Sequence, residues 1–410
     1  MTDQSRRRFL SHSLCGCVFG LAGANALAKS TPGQLDALIS SDYQPSDADE
    51  RGLWHLCDRL EKEVAASNLL IRDEGLNTYL RNVTGRLLGS YRSDVRIYAM
   101  RNADFNASMT PNGMMIVNSG FLARVRNEAQ MAAVLGHECG HYLRLHTVRN
   151  WRSMKAKSAV MAVVAIAGAG ATGATGNNWY DLANAINTGL LASMFSFSRE
   201  MESEADAFGI KLMREAGYAP HEASAVWSQL IEERKAAAAA RNKRYKDNSV
   251  SSFSTHPPSS ERMFQLKAYA MEMEGRQREA VTSETGRAEF VAATAPMREA
   301  FIEEQIKLND PGASLYLLNS LAQDGWDGVL RYNEGEVYRL RDEEGDAQRA
   351  ADAFTQAVRF ENAPAEAYRA HGYALLKAGA NEDGLRALSR YLELEPNAAD
   401  AAMIRFTLGH

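Results

Sequence analysis

The chain has little cysteine, no surplus of positive charge and no apolar run long enough to span a bilayer. Each lack excludes something. Four cysteines in 410 residues cannot build a disulfide-dense scaffold. Lysine and arginine total 46 against 51 aspartate and glutamate, which argues against nucleic acid as a partner. Residues 158–176 are rich in Ala, Val and Gly, but their continuously apolar part is only about a dozen residues, too short to cross a membrane. This segment reads as a buried or cleft-flanking helix, with a membrane-touching hairpin as the alternative.

What is present suits folded, exported domains. A hydrophobic content of 45% supports a full core and excludes general disorder. The length suits two or three domains. Ser5-Arg-Arg-Arg-Phe-Leu10, a moderately apolar run and Ala26-Leu-Ala28 read as a signal peptide over residues 1–28. Ser-Arg-Arg-x-Phe-Leu is twin-arginine-like, with Sec export as the alternative. Leu14-Cys-Gly-Cys17 resembles a lipobox, but too little apolar sequence precedes it. Cleavage after Ala28 and a periplasmic location are therefore expected over lipid anchoring at Cys17. Residues 1–28 hold three Arg and one Asp, so the mature balance is 43 basic against 50 acidic residues, about −7. Cys57 and Cys139 remain, and are expected as two buried thiols.

His137-Glu-Cys-Gly-His141 carries the chemistry. On a helix, residues four apart share a face, so both imidazoles can bind one Zn²⁺. Glu138 follows the first ligand and is placed to take a proton from water attacking a peptide carbonyl. A catalytic zinc needs a third protein ligand and an open position. Ser198-Arg-Glu-Met-Glu-Ser-Glu-Ala-Asp206 offers carboxylates on an expected helix. Glu202 and Asp206 are four apart, and so are Glu200 and Glu204. Helix geometry alone does not choose between the pairs.

These motifs resemble the gluzincin metallopeptidase family that includes the heat-shock membrane protease HtpX and the CAAX prenyl proteases. The resemblance is strongest to periplasmic members that join the peptidase to tetratricopeptide repeats. Besides H-E-C-G-H, Glu202-Ser-Glu-Ala-Asp206 is similar to the family's E-x-x-A-D. Asn106-Ala-Ser-Met-Thr-Pro-Asn-Gly-Met-Met-Ile-Val-Asn-Ser-Gly120 is similar to its N-A-F-x-x-P-G-G-x-I-x-V-x-x-G. Thr255-His-Pro-Pro-Ser-Ser-Glu-Arg262 is similar to its T-H-P-x-x-x-x-R. Ser108 and Asn112 depart from the pattern, at an aromatic and a glycine. The resemblance implies one zinc per chain on His137, His141 and Glu202, with Asp206 orienting an imidazole. It implies Glu138 as general base, and His256 and Arg262 at the cleft. His256 would either close the open zinc position or stabilise the transition state. The strand Met114, Met115, Ile116, Val117, Asn118 is expected as the sheet edge that takes substrate as an added strand.

The expected fold is mainly α with a small β-sheet: a zincin-like peptidase domain, then a helical tetratricopeptide-type array. Residues 29–50 read as a linker and 51–275 as the peptidase. Within it, helices are expected over 51–92 and a strand over 95–100. Residues 276–298 read as a second linker and 299–410 as the repeats. Gly345…Ala353-Phe…Ala357 recurs 34 residues later as Gly379…Ala387-Leu…Tyr391, a tetratricopeptide period. The family resemblance implies an exported endopeptidase acting on misfolded or misassembled envelope proteins. The repeats would hold clients or contact outer-membrane assembly machinery. The alternative is a chaperone or assembly adaptor whose zinc site stays mostly closed.

Overall fold

The computed structural model describes residues 43–89, 94–153, 197–247, 260–275 and 284–409. The expected signal peptide with Cys17, the apolar segment 158–176 and His256 lie outside these residues. The described residues belong to one compact unit.

Helices α1 (Ala48–Ala66) and α2 (Glu74–Leu88) open the fold where the apolar spacing predicts them. Asp47 caps α1 by accepting from the Glu50 backbone N–H, and Asp73 caps α2 by accepting from that of Leu76. Such caps satisfy N–H groups that have no partner inside a helix. Leu76, Leu80, Val83 and Leu87 form the buried stripe of α2.

Three short strands follow: β1 (Arg96–Met100), β2 (Ala107–Met109) and β3 (Met114–Asn118). The sheet order is β1-β3-β2. Arg96 pairs with Met114 in a parallel register, and Ser108 pairs with Ile116 in an antiparallel one. This corrects the expected edge. Met114, Met115, Ile116, Val117 and Asn118 form the central strand, bonded on both sides. Only three residues of β2 pair, too few to show a period, so the sequence hid it inside the Asn106–Gly120 motif. A tight turn joins β2 to β3. Gly113 there has φ +86°, a conformation that favours glycine. Asn112, the departure from the family's glycine, is buried. Its amide donates to Asp58 (2.9 Å) and Glu61 (3.1 Å), tying the turn to α1.

The remaining described elements are helical. After α3 (Ser119–Leu122) come α4 (Glu128–Leu143), α5 (Arg199–Glu215), α6 (Glu222–Ala240) and α7 (Ser260–Gly275). Next are α8 (Arg287–Thr294), α9 (Arg298–Lys307) and α10 (Pro311–Leu321). The array is α11 (Gly328–Arg341), α12 (Asp346–Ala357), α13 (Ala365–Lys377), α14 (Asn381–Leu394) and α15 (Ala401–Leu408). The expected linker 276–298 is corrected in its second half. Arg287–Thr294 is a helix that buries Phe290 and Thr294 and packs against α2 and α4. The helix has eight residues and a single large buried side chain, too little to show an apolar period, so composition alone read as linker. On α9, Glu304 accepts from Arg101 (2.8 Å) and Ser119 (2.5 Å), and Gln305 accepts from Arg124. The C-terminal helices thus bear directly on the loops flanking the sheet.

The 34-residue period has a structural counterpart. Gly345 and Gly379 occupy equivalent turns, at φ +80° and +83°. In each hairpin a glycine of the first helix lets a large side chain of the second come close: Gly335 with Phe354, and Gly372 with Leu388. Among the described residues no helix is long and apolar enough to cross a membrane.

Candidate metal centre

Every residue of α4 is buried, so both expected ligand histidines stand in the core and not on a surface. Asn127 caps this helix by accepting from the Gln130 N–H at 2.8 Å. The helix that must meet it is α5. Small residues set how closely they pack. Gly136 and Gly140 of α4 face Gly209 and Ala205 of α5. A Cβ at Gly136 would meet Gly209 O at 3.1 Å, and one at Gly140 would meet Ala205 O at 3.0 Å. Backbone-to-backbone contact of this kind brings the α5 carboxylates within reach of the α4 imidazoles.

His137 Nε2 and His141 Nε2 lie 2.9 Å apart. Glu202 Oε2 is 3.5 Å from the first, and Glu202 Oε1 is 3.4 Å from the second. Donor atoms around a tetrahedral zinc, with bonds of about 2.0–2.1 Å, are spaced by about 3.3 Å. Two imidazoles and a carboxylate at these separations fit that ion. His137, His141 and Glu202 are the one such group of three among the described residues. Asp206 Oδ1 stands 2.8 Å from His137 Nδ1, where a carboxylate orients a ligating ring. Glu138 is buried on the same helix.

Of the two carboxylate pairs left open by helix spacing, the fold turns Glu202 and Asp206 toward the histidines. Glu200 is exposed. Glu204 instead meets Arg144 and His146, the latter at 3.0 Å.

Arg262, on α7, is buried and not a helix-surface charge. Its Nε and Nη2 donate to Asp206 Oδ2 (2.9 Å) and Oδ1 (2.7 Å), and Nη1 lies 3.1 Å from Glu202 Oε2. Its guanidinium also sits 4.3 Å from the Trp227 ring centre. Burial works against ionising Asp206, but the charge of Arg262 and hydrogen bonds with His137 and Arg262 outweigh it, so the carboxyl stays below its ordinary pKa. Burial likewise opposes the charge on Arg262, and Asp206 and Glu202 more than restore it. The pair is a desolvated, mutually sustained ion pair.

Sequence reasoning missed two contributors. Phe197 stacks on His141, with ring centres 3.9 Å apart and 19° between planes. His146 is fully buried, with its Nδ1 2.8 Å from His141 Nδ1. Five residues do not span one helix face, so the spacing carried no signal. The chain ends α4 at Leu143, and Leu145 adopts φ +54°. That backward turn brings His146 to His141. Burial pushes the His146 imidazole down to about 4, against the opposing pull of Glu204. Burial opposes ionisation of Glu204 too, but hydrogen bonds from His146 and Arg144 hold it below the usual carboxylate range.

Against this geometry, the chain matches the model of peptidase family M48 over residues 73–270. Residues 73–270 are an M48 peptidase domain. The mitochondrial metalloendopeptidase OMA1 of Schizosaccharomyces pombe is 29% identical over 47% of this chain and 53% of its own. OMA1 of Saccharomyces cerevisiae is 29% identical over 36% of this chain and 40% of its own. The beta-barrel assembly-enhancing protease of Escherichia coli K12 is 22% identical over 42% of this chain and 36% of its own. The chain thus spans about a third to a half of the length of the curated relatives it matches. The M48 segment takes in α2, all three strands, α3 to α6, and α7 as far as residue 270, which includes Arg262.

Proposed function

We propose that this chain is a zinc endopeptidase of the cell envelope that hydrolyses misfolded or misassembled proteins. The observation that carries the reading is the convergence of His137 Nε2, His141 Nε2 and the Glu202 carboxylate, backed by Asp206. His137, His141 and Glu202 would hold one zinc per chain. When bound, zinc would supply Lewis acidity toward the attacking water and the scissile carbonyl. Glu138 takes the proton of that water and delivers it to the leaving amine. Asp206 holds His137 by its second nitrogen. Arg262 acts through Asp206 and Glu202 as a positioning residue.

Substrate backbone is assigned to β2, the outer strand. Asn106 O accepts from Asn118 N, and Thr110 N donates to Met114 O. By the two-residue period, Ala107 and Met109 then turn their N–H and C=O groups away from β3. An extended peptide added there would gain main-chain hydrogen bonds. The helical array after α10 is assigned to holding clients as a tetratricopeptide-type surface. The signal-like N-terminus, and a relative named for β-barrel assembly, support envelope clients and a periplasmic location.

His256 is proposed from its motif, either as resting occupant of the open zinc position or as donor to the transition state. The two roles differ in sign: His256→Ala cleaves faster with zinc retained in the first, and about 10²–10³ slower in the second. The function itself is tested by Glu138→Gln. It should keep zinc, bind unfolded outer-membrane protein and fail to degrade it. Undiminished degradation by this variant overturns the reading.

A further inference from the structure

We propose that His146 and Glu204 form a hydrogen-bonded relay that positions His141 for the metal. The inference rests on the zinc-site reading and concerns residues that lie outside its ligand set. His137 has a carboxylate, Asp206, on its second ring nitrogen. His141 has none. The group on its second nitrogen is another imidazole, His146, at 2.8 Å. His146 in turn presents Nε2 to Glu204 Oε2 at 3.0 Å.

One proton arrangement satisfies these two contacts. A metal on His141 Nε2 requires the proton on Nδ1. That N–H then donates to His146 Nδ1, which must be the unprotonated nitrogen. His146 is left with its proton on Nε2, which donates to the Glu204 carboxylate. Each ring thereby has a single allowed tautomer, set from Glu204 inward. A carboxylate at the end of the chain raises the donor strength of His141, as Asp206 does directly for His137. Arg144, and Arg149 at 3.5 Å, hold Glu204 from its outer side. Phe197 on the face of His141 limits ring rotation. Interposing an imidazole reaches a carboxylate that the α5 helix turns away from the ligands.

The test measures zinc affinity by competition with a chelator, and the visible spectrum of the Co²⁺-substituted full chain. His146→Leu removes both hydrogen bonds. It should weaken zinc about 10–100-fold while still binding one ion at saturation, and it should shift the Co²⁺ bands. His146→Gln can accept from His141 and donate to Glu204, and should recover affinity to within a few-fold of wild type. Glu204→Ala should also weaken zinc, and combining it with His146→Leu should add little, because both cut one chain. The metal-free melting temperature is measured for each variant. Wild-type affinity and an unshifted spectrum in His146→Leu overturn the relay. So does equal weakening in Leu and Gln variants that tracks their loss of metal-free stability. Should His146→Leu fail to fold, Glu204→Ala decides alone: unchanged zinc affinity there rejects the relay. Failure of wild type to bind one zinc would instead reject the underlying site, a separate outcome.

Discussion

A Cβ placed on Gly209 would stand 2.8 Å from the backbone nitrogen of His137. Neither group can move without shifting a helix, so Gly209 sets the distance between α4 and α5. Gly209→Ala should destabilise the chain by about 1–3 kcal/mol, the usual cost of overpacking. It should also weaken zinc, because Glu202 and Asp206 retreat with α5. Gly85→Ala, on exposed helix with nothing within 4 Å, should raise stability by up to about 1 kcal/mol. Thermal melts with and without zinc distinguish the two.

Glu202 and Glu200 lie on the same helix but should behave differently. Glu202→Ala should reduce bound zinc well below one per chain, as measured by atomic absorption after dialysis. Glu200→Ala should leave it at one. Loss of zinc from the Glu200 variant alone would reassign the third ligand.

Ala107→Pro tests the outer strand. The substitution deletes an N–H that faces away from β3, and proline is tolerated at sheet edges. With one or two substrate hydrogen bonds lost, kcat/KM should fall roughly tenfold, since about 1.4 kcal/mol is a factor of ten. The fall should come mainly through KM; Ala107 is buried, so the added ring should also lower the melting temperature modestly. Unchanged kinetics in a folded variant would remove β2 as the substrate strand.

Asp346 supports the array and has a pH signature. It accepts from Arg341 Nη2 and from Arg349 Nη1, both at 2.6 Å. The Arg341 hydrogen bond, against some burial, holds its carboxyl well below the usual range. A depressed folded-state pKa contributes stability that is fully present above the unfolded value, about 3.9. That stability is lost as pH falls through the folded value. Asp346→Asn should therefore be less stable than wild type at pH 7, and the difference should shrink below about pH 4. Circular-dichroism melts across that range check it. A difference that stays constant with pH would show that the ion pairs contribute nothing.

The pairing of His137 and His141 was legible because a four-residue spacing has one meaning on a helix, and α4 is a helix throughout. The α2 stripe and the Gly345/Gly379 period were legible for the same reason: local geometry repeats at a fixed sequence interval. Buried free thiols at Cys57 and Cys139 also follow the sequence expectation. Other features depended on residues far apart in the chain. Spacing offered two carboxylate pairs on α5, and only the packing of α5 on α4 turns Glu202 and Asp206 inward and Glu204 toward His146. The position of β3 was misread because a strand's place in a sheet depends on its neighbours, and β2 was too short to announce itself. His146 was invisible because the left-handed turn at Leu145 breaks the helical period that sequence reading relies on. Sequence by itself determined that His137 and His141 share one helix face and that the strongly periodic segments are helical, since both follow from local periodicity. Tertiary structure alone decided which nitrogen faces which carboxylate, because that depends on the few ångströms between two helices that glycine allows to touch.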